Sequence, residues 1–176
     1  LKCDIDNIKF IGETNVEKIT NTVRKEAPSL LIIDSIQTVY SSMVESEAGG
    51  ISQIRASAVA FMELAKQNNI ATVLIGHITK DGSLAGPKSL EHIVDTVLYL
   101  ESEKTGHYRM LRTTKNRFGC TNELGIFEMT STGLKEVKNP SSCFLNTGHN
   151  NSSGSIVSCV IEGTRPFLVE IQALVS

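Results

Sequence analysis

The sequence of 176 residues has no C-x-x-C pair, no strong charge of either sign and no long apolar run. Its four cysteines, Cys3, Cys120, Cys143 and Cys159, are scattered, which argues against a zinc site or a disulfide framework and fits a reducing compartment. The net charge of -2 excludes a strongly basic nucleic-acid coat, though not a local basic loop. Apolar runs of a few residues exclude a membrane span, so we expect a cytoplasmic protein without a membrane partner.

The chain also opens without an initiator methionine and without a signal peptide, since its first residues are Leu1–Asp6. Its composition, 40% hydrophobic and 20% charged, is ordinary for a globular protein and sufficient for a buried core. The length fits one domain, or one domain and part of a second. We therefore expect a globular chain that was cut from a longer polypeptide.

Apolar strands alternate with amphipathic helices in the first half of the chain. Two fully apolar runs are typical of parallel strands, and the first is expected to be covered by helices on both faces. A Thr-x-x-Glu capping box should begin the first helix, which should end before Pro28. The predicted elements are the strand Ile8–Ile11, the capping box Thr14–Glu17, the strand Leu30–Ile33, the loop Ser41–Gly50, the helix Ile51–Asn68 and the strand Ile70–Gly76.

The pattern changes near Val94, where short strands separated by turns replace the helices. Four successive strands predict an antiparallel meander added to the parallel sheet. A segment rich in Asn, Ser and Gly then predicts a linker, and two further strands predict a hairpin that would be only marginally stable by itself. The predicted ranges are the strands Val94–Leu100, Tyr108–Thr114, Glu123–Met129 and Leu134–Val137, the linker Asn139–Ser153 and the hairpin strands Ser155–Ile161 and Phe167–Leu174.

A polar residue follows each of the two apolar strands. Asp34 closes the first strand, with Ser35 after it, and His77 follows the second. At the carboxyl end of a parallel strand, a carboxylate can hold Mg²⁺ directly or through water, and Ser35 can help to orient it. A polar side chain at His77 can sense the terminal phosphate of a nucleotide and pass its state to the next loop. The alternatives are that Asp34 caps the next turn and that His77 is a turn residue bonded to the backbone.

The loop after His77 is a candidate DNA-binding segment. It runs from Thr79 to Lys88 and contains Lys80 and Gly82. Glycines keep a loop mobile, and lysines suit a phosphate backbone, so the loop can order on single-stranded DNA. The alternative is a plain surface loop.

Lys115 and Arg117 form a second cationic segment. They stand two residues apart, so on an extended segment they point the same way. Cations placed like this can stabilise charge on a transferring phosphoryl group, including one bound to a neighbouring subunit. The alternative is a solvated basic turn.

These segments together resemble the RadA (Sms) family of bacterial DNA repair ATPases. The resemblance covers nearly the whole chain, and the Lys-Asn-Arg-Phe-Gly motif is close to diagnostic of the family. The segments that carry it are Asp34–Thr38, Gly76–Gly82, Ala85–Pro87, Leu90–Val97, Lys115–Gly119, Asn122–Met129 and Glu162–Pro166.

The resemblance implies an α/β fold in three parts. Residues 1–138 would be the C-terminal part of a RecA-like ATPase core, with a parallel sheet, flanking helices and an antiparallel meander. Residues 139–153 would be a linker, and 154–176 the truncated start of a Lon-protease-like domain. The family's N-terminal zinc finger and its G-x-x-x-x-G-K-[ST] phosphate loop have no counterpart in the sequence. We therefore expect zinc only in the missing finger, and weak ATP binding without hydrolysis by this polypeptide alone.

The resemblance also implies roles for individual residues. Asp34 would be the Walker B aspartate at Mg²⁺ and His77 the sensor of the γ-phosphate. The implied catalytic residues are Asp34, His77, Lys115 and Arg117, the implied nucleotide-binding residues are Asp34, Ser35, Lys115 and Arg117, and the implied DNA contacts are Thr79, Lys80, Gly82 and Lys88.

The implied function is that of a DNA-dependent ATPase in recombinational repair. Such a protein uses ATP and Mg²⁺ to promote branch migration, binds single-stranded and branched DNA, works with a RecA-type recombinase and forms a homo-oligomeric, hexameric ring. Two alternatives remain. One is a RecA-class relative that only binds and assembles. The other is a non-catalytic fragment that binds DNA or partner proteins, or that does not fold stably.

Overall fold

The structure is a computed structural model that describes residues 6–77, 90–102, 107–139, 141, 145 and 154–173. The chain divides into two compact units, with the division between Asp95 and Thr96. The predicted boundaries at residues 138 and 154 remain predictions, and each unit is described by itself below.

The first unit contains two helices and a pair of parallel strands. Its elements are α1 (Val16–Glu26), β1 (Leu30–Asp34), α2 (Ile51–Asn68) and β2 (Ala71–Ile75), and the register of the strands runs from Leu30 opposite Ala71 to Asp34 opposite Ile75. The parallel strands and both helices are confirmed. The predicted strand at Ile8–Ile11 is wrong, because residues 8–14 have no regular structure and Ile8 and Phe10 stay exposed, without the burial that stabilises a strand.

The core of this unit lies on one face of β1 and β2. Leu31 and Ile33 are buried there in one cluster with residues of both helices, including Val16, Ile54 and Phe61. The opposite face of β1 is open, since Leu30 is 50% and Ile32 is 56% exposed. The expectation that helices cover both faces is therefore wrong for the described residues, because both described helices pack against the same face.

Helix α1 begins one residue later than the predicted capping box. The N-cap is Asn15, whose side-chain oxygen accepts a hydrogen bond from the backbone N–H of Lys18. Asn15 also forms an isolated parallel bridge with Tyr40, which fixes the entry to the helix. Glu17 therefore does not complete a capping box. Its carboxylate accepts hydrogen bonds from Ser41 Oγ at 2.5 Å and from the backbone N–H of Ser42 at 3.2 Å.

Replacing Glu17 with Gln is expected to remove a pH-dependent part of the stability. The hydrogen bond from Ser41 lowers the pKa of the Glu17 carboxyl. The contribution of this hydrogen bond to the free energy of unfolding is complete above about pH 4.3, the ordinary pKa of a Glu carboxyl. It is lost as the pH falls through the lower pKa that Glu17 has in the folded state. At pH 7 the variant should lose about 1 kcal/mol of unfolding free energy, and the loss should shrink below about pH 4.

Urea unfolding of both proteins between pH 3 and pH 7 measures this difference. The control is Glu63→Gln, which alters an exposed carboxylate on α2 and should leave the pH profile unchanged. A Glu17→Gln difference of the same size at all pH values would contradict the assignment.

The loop Ser41–Gly50 is fixed by one buried side chain of α2. Gln53 is only 2% exposed, and its Oε1 accepts a hydrogen bond from the backbone N–H of Ser41 at 2.8 Å. Its Nε2 donates to the carbonyl oxygens of Ser41, Val44 and Ser46 at 3.1, 2.9 and 3.0 Å. A loop with little apolar surface is thereby held by polar contacts to the helix that follows it.

Ser57, on the same helix, is buried like Gln53 but lacks the hydrogen bonds that Gln53 makes. It is fully buried, and its hydroxyl has no hydrogen-bond partner among the described residues. Ser57→Ala is therefore expected to stabilise the fold by about 1 kcal/mol, because it removes an unpaired polar group and raises helix propensity. Thermal or urea unfolding measures the change. A Ser57→Ala variant no more stable than the unaltered chain would contradict the reasoning.

The described residues of the second unit form mainly β-strands. Its strands are β3 (Thr96–Ser102), β4 (Tyr108–Asn116), β5 (Leu124–Thr130), β6 (Gly133–Glu136), β7 (Ser155–Glu162) and β8 (Arg165–Gln172). Strands β3 to β6 form the predicted antiparallel meander, in sequence order. In the described residues the meander is a sheet of its own, so the expectation that it extends the sheet of β1 and β2 is wrong there, because β3 to β6 are hydrogen-bonded only to their neighbours in the meander.

The predicted hairpin is confirmed as β7 and β8, which pair along their full length around Gly163 and Thr164. Phe167 is 5% exposed in a cluster with Leu124 and Ile126 of β5. Gly163 has a φ of +64°, and a Cβ there would lie 2.1 Å from the carbonyl oxygen of Asn122. Only glycine fits so close a backbone approach. The hairpin is thus stabilised by contacts with β5 and its preceding loop rather than by its own pairing alone.

Candidate functional site

Asp34 and His77 lie side by side at the carboxyl ends of β1 and β2. Asp34 is the last residue of β1, opposite Ile75, and His77 follows two residues after Ile75. Their side chains approach to 3.8 Å between His77 Nε2 and Asp34 Oδ1, which is too long for a hydrogen bond. Both side chains are open to solvent, at 73% exposure for His77 and 66% for Asp34. The sheet therefore presents a carboxylate and an imidazole together at an accessible edge.

The turn after Asp34 is hydrogen-bonded to the end of β2. Ile36 donates its backbone N–H to the carbonyl oxygen of Ile75 at 2.9 Å, which continues the pairing beyond the strands. The carbonyl oxygen of Ser35 accepts hydrogen bonds from Thr38 Oγ1 at 2.9 Å and Thr38 N–H at 3.1 Å. The peptide bond between Asp34 and Ser35 is cis. Ser35 is 5% exposed, so in this structure it belongs to the turn that supports Asp34.

Gln37 was missed by the sequence reasoning, and it links the two strand ends. Its Nε2 donates a hydrogen bond to the main-chain oxygen of His77 at 3.1 Å. Its Oε1 is buried and has no hydrogen-bond partner among the described residues. The only sequence signal is a long polar side chain between the apolar residues Ile36 and Val39.

Asp34 is suited to Mg²⁺ as one ligand among several. In the described part of the chain, no group of three or more His, Cys, Asp and Glu side chains is placed to hold a metal ion. Mg²⁺ keeps several waters and commonly takes one or two carboxylates together with the phosphates of a substrate. A single exposed carboxylate such as Asp34 therefore fits an ion that arrives with a nucleotide.

The Lys-Asn-Arg-Phe-Gly motif lies in the second unit, at the end of β4. Lys115 is half-buried in the strand, opposite Val97, whereas Arg117 lies beyond the strand in an exposed turn. Because Arg117 lies beyond Asn116, the last residue of β4, the alternation of an extended strand does not govern the directions of the two cations. Their predicted parallel orientation therefore has no support from strand geometry.

Asn116 organises this turn. Its Oδ1 accepts hydrogen bonds from the backbone N–H of Phe118 at 3.1 Å and from Thr96 Oγ1 at 3.3 Å. Phe118 is 83% exposed. The motif is thus a short turn, fixed by an asparagine, that carries Arg117 and Phe118 on its surface.

The predicted DNA contacts Thr79, Lys80, Gly82 and Lys88 lie outside the described residues. Their role remains a prediction, as do the catalytic and nucleotide-binding roles of Asp34, Ser35, His77, Lys115 and Arg117. Among the residues that are described, none of the helices has the length and apolar character needed to cross a membrane.

Comparison with known proteins gives long matches to bacterial DNA repair proteins. The chain is 52% identical over 170 residues to the DNA repair protein RadA of Pseudomonas aeruginosa, a match that covers 97% of this chain and 38% of the relative. It is 54% identical over 171 residues to the protein of the same name from Listeria monocytogenes, covering 97% of this chain and 37% of the relative. The chain thus spans little more than a third of the length of these relatives. No protein-family model matches it.

Among solved structures, the chain is similar to the crystal structure of the RadB recombinase. The TM-score is 0.52 at 18% sequence identity, and the match covers 70% of this chain and 59% of that chain. This likeness concerns the fold, which is α/β and RecA-like. Because identity of 52% and 54% extends along 97% of its residues, the chain belongs to the RadA family of DNA repair proteins.

Proposed function

We propose that this chain is part of a DNA-dependent ATPase that acts in DNA repair and recombination. In this proposal the edge of the sheet with Asp34 and His77 binds Mg²⁺ and senses the nucleotide. The observation that carries the proposal is the pairing of Asp34 and His77, 3.8 Å apart, at the carboxyl ends of two parallel strands. Ligands of open α/β sheets bind outside the carboxyl ends of the strands. The names of the relatives, DNA repair protein RadA, support the choice of process.

Asp34 and His77 have different tasks in this proposal. Mg²⁺ that arrives with ATP would neutralise charge on the phosphates, and Asp34 would hold it directly or through water. His77 has a ring nitrogen on the same open edge and would contact the terminal phosphate. Loss of that phosphate would change the contacts of His77 and hence the start of the segment that follows it.

Hydrolysis needs a phosphate loop that this sequence does not contain. The 176 residues by themselves are therefore expected to bind ATP weakly and to hydrolyse none. DNA-stimulated ATP turnover by the purified 176-residue chain would contradict this part of the proposal.

The remaining parts of the proposal concern the complete protein. The loop Thr79–Lys88 would contact single-stranded and branched DNA, and Lys115 and Arg117 would act on ATP across the subunit interface of a hexameric ring. This ring would promote branch migration with a RecA-type recombinase in the cytoplasm. The hairpin β7–β8 would begin a Lon-protease-like domain, and zinc would be bound by a separate finger.

Branch migration by a chimera tests this function. The matched 170-residue segment of Pseudomonas aeruginosa RadA is replaced by this chain, and extension of a three-stranded DNA intermediate is followed with ATP. Lys115→Ala and Arg117→Ala are each expected to slow the extension by at least about 100-fold, because each removes a cation from the phosphoryl group. Lys135→Ala, at an exposed position of β6, is the matched control and should act like the unaltered chimera. Equal rates for all four proteins would contradict the assigned role of the motif.

A further inference from the structure

We propose that Gln37 is a positioning residue that keeps His77 aligned with Asp34. This inference rests on the proposed function of that edge and adds a residue to it. Gln37 is three residues beyond Asp34 in the chain, and its side chain reaches across to the end of the other strand, where it donates to the main-chain oxygen of His77 at 3.1 Å.

The first support is that Gln37 itself is held firmly. Its neighbour Ile36 is 1% exposed and is hydrogen-bonded to Ile75, and Thr38 closes the turn onto Ser35. The side chain therefore starts from a backbone that is fixed relative to β2. A hydrogen bond from such a base limits where the acceptor, the His77 backbone, can move.

The second support is the position of the Gln37 amide beside Gly76. A Cβ built on Gly76 would lie 3.5 Å from Gln37 Nε2 and 3.6 Å from Ile36 Cγ2. The amide of Gln37 therefore lies directly over the residue that joins β2 to His77. Two features therefore restrain the backbone of His77: strand β2, which precedes it in the chain, and the amide of Gln37, which is hydrogen-bonded to it.

The third support is the energetic character of the amide. Gln37 Oε1 is buried without a partner among the described residues, and an unpaired buried acceptor is unfavourable. The Gln37 amide therefore contributes little to the free energy of unfolding, because the cost of the unpaired oxygen offsets the hydrogen bond made by the nitrogen. An apolar residue of similar length would avoid the unpaired oxygen, whereas positioning of the His77 backbone requires the donor of Gln37.

The test uses Gln37→Met, which keeps the length of the side chain and removes both polar groups. Because the lost hydrogen bond and the lost unpaired oxygen compensate, the midpoint of thermal unfolding of the 176-residue chain should shift by less than about 4 °C. In the same chain labelled with ¹⁵N-histidine, the imidazole signals of His77 should move, since the ring is no longer held beside Asp34. The signals of His92, in the same unit, should not move.

Gln67→Met is the matched control, because Gln67 lies exposed on α2. It should leave the His77 signals in place. If Gln37→Met unfolds the chain, Gln37→Glu is measured instead. This substitution keeps the length of the side chain but replaces the N–H donor by an oxygen, which cannot donate to the His77 carbonyl. His77 signals that stay in place in a folded Gln37 variant would overturn the proposal.

A kinetic measurement separates this proposal from the proposed function. In the chimera with Pseudomonas aeruginosa RadA, Gln37→Met should lower kcat for ATP hydrolysis about tenfold and leave KM for ATP within about twofold, because the residue orients His77 and does not touch ATP. An unaltered kcat would overturn the positioning role. A chimera without any ATP hydrolysis before substitution would instead contradict the proposed function, and the histidine signals of the chain would still decide the role of Gln37.

Discussion

Asp34→Asn is expected to reduce ATP hydrolysis by the chimera with Pseudomonas aeruginosa RadA by at least about 100-fold. Asparagine has nearly the same shape as aspartate but lacks the negative charge that a Mg²⁺ ligand at this edge supplies. Because Asp34 is 66% exposed, the substitution buries no unpaired group, and the folded state should be as stable as before. The measurement is phosphate release at saturating ATP and Mg²⁺, with and without single-stranded DNA.

The control is Glu47→Gln, which removes a negative charge from the exposed loop after β1. It should hydrolyse ATP like the unaltered chimera. Urea unfolding of the Asp34→Asn variant must match that of the chimera for the comparison to hold. A stable Asp34→Asn variant with unchanged turnover would show that this carboxylate has no part in ATP hydrolysis.

Gln53→Met is expected to destabilise the first unit by about 3 kcal/mol. The substitution leaves the backbone N–H of Ser41 and the carbonyl oxygens of Ser41, Val44 and Ser46 without the partner that they share. Methionine fits the space but forms none of these hydrogen bonds. The expected loss of unfolding free energy is smaller than the cost of four unpaired buried groups. Ser46 is exposed, so its carbonyl oxygen can accept a hydrogen bond from water instead. Urea unfolding of the 176-residue chain measures it.

Gln67→Met provides the comparison for this prediction too, since it makes the same chemical change at an exposed position of the same helix. It should change the unfolding free energy by no more than about 0.5 kcal/mol. Gln53→Glu should be at least as damaging as Gln53→Met at pH 7, because it places a carboxylate among three carbonyl oxygens. A Gln53→Met variant as stable as the Gln67→Met control would contradict the role of Gln53 in holding the loop.

The strand ends were predictable because they depend on short-range patterns. Apolar runs mark β1 and β2, and Asp34 and His77 follow them directly in the chain. Once the strands are parallel, their carboxyl ends must meet at one edge, so the proximity of these two side chains follows from the pattern. Both ends of α2 were predicted for a similar reason, since Gly50 precedes the helix and Asn69 ends it in a left-handed conformation.

The errors arise where contacts between distant residues decide the structure. Thr14 and Asn15 are both good N-cap residues, and the bridge between Asn15 and Tyr40 accompanies the choice of the second. Gln37 bonds to a residue 40 positions away, so nothing in its local sequence reveals its role. Strand β4 likewise ends at Asn116, where pairing with Thr96 of β3 stops, so the simple alternation that was used for Lys115 does not extend to Arg117.

The central claim, that this chain provides the catalytic edge of a DNA-dependent ATPase, is tested most directly by one rate. This rate is ATP hydrolysis by the chimera in which the chain replaces the matched segment of Pseudomonas aeruginosa RadA, measured with and without single-stranded DNA. We expect hydrolysis that DNA stimulates and that Asp34→Asn reduces by at least about 100-fold. A chimera that folds and binds ATP but hydrolyses none, with or without DNA, would contradict it.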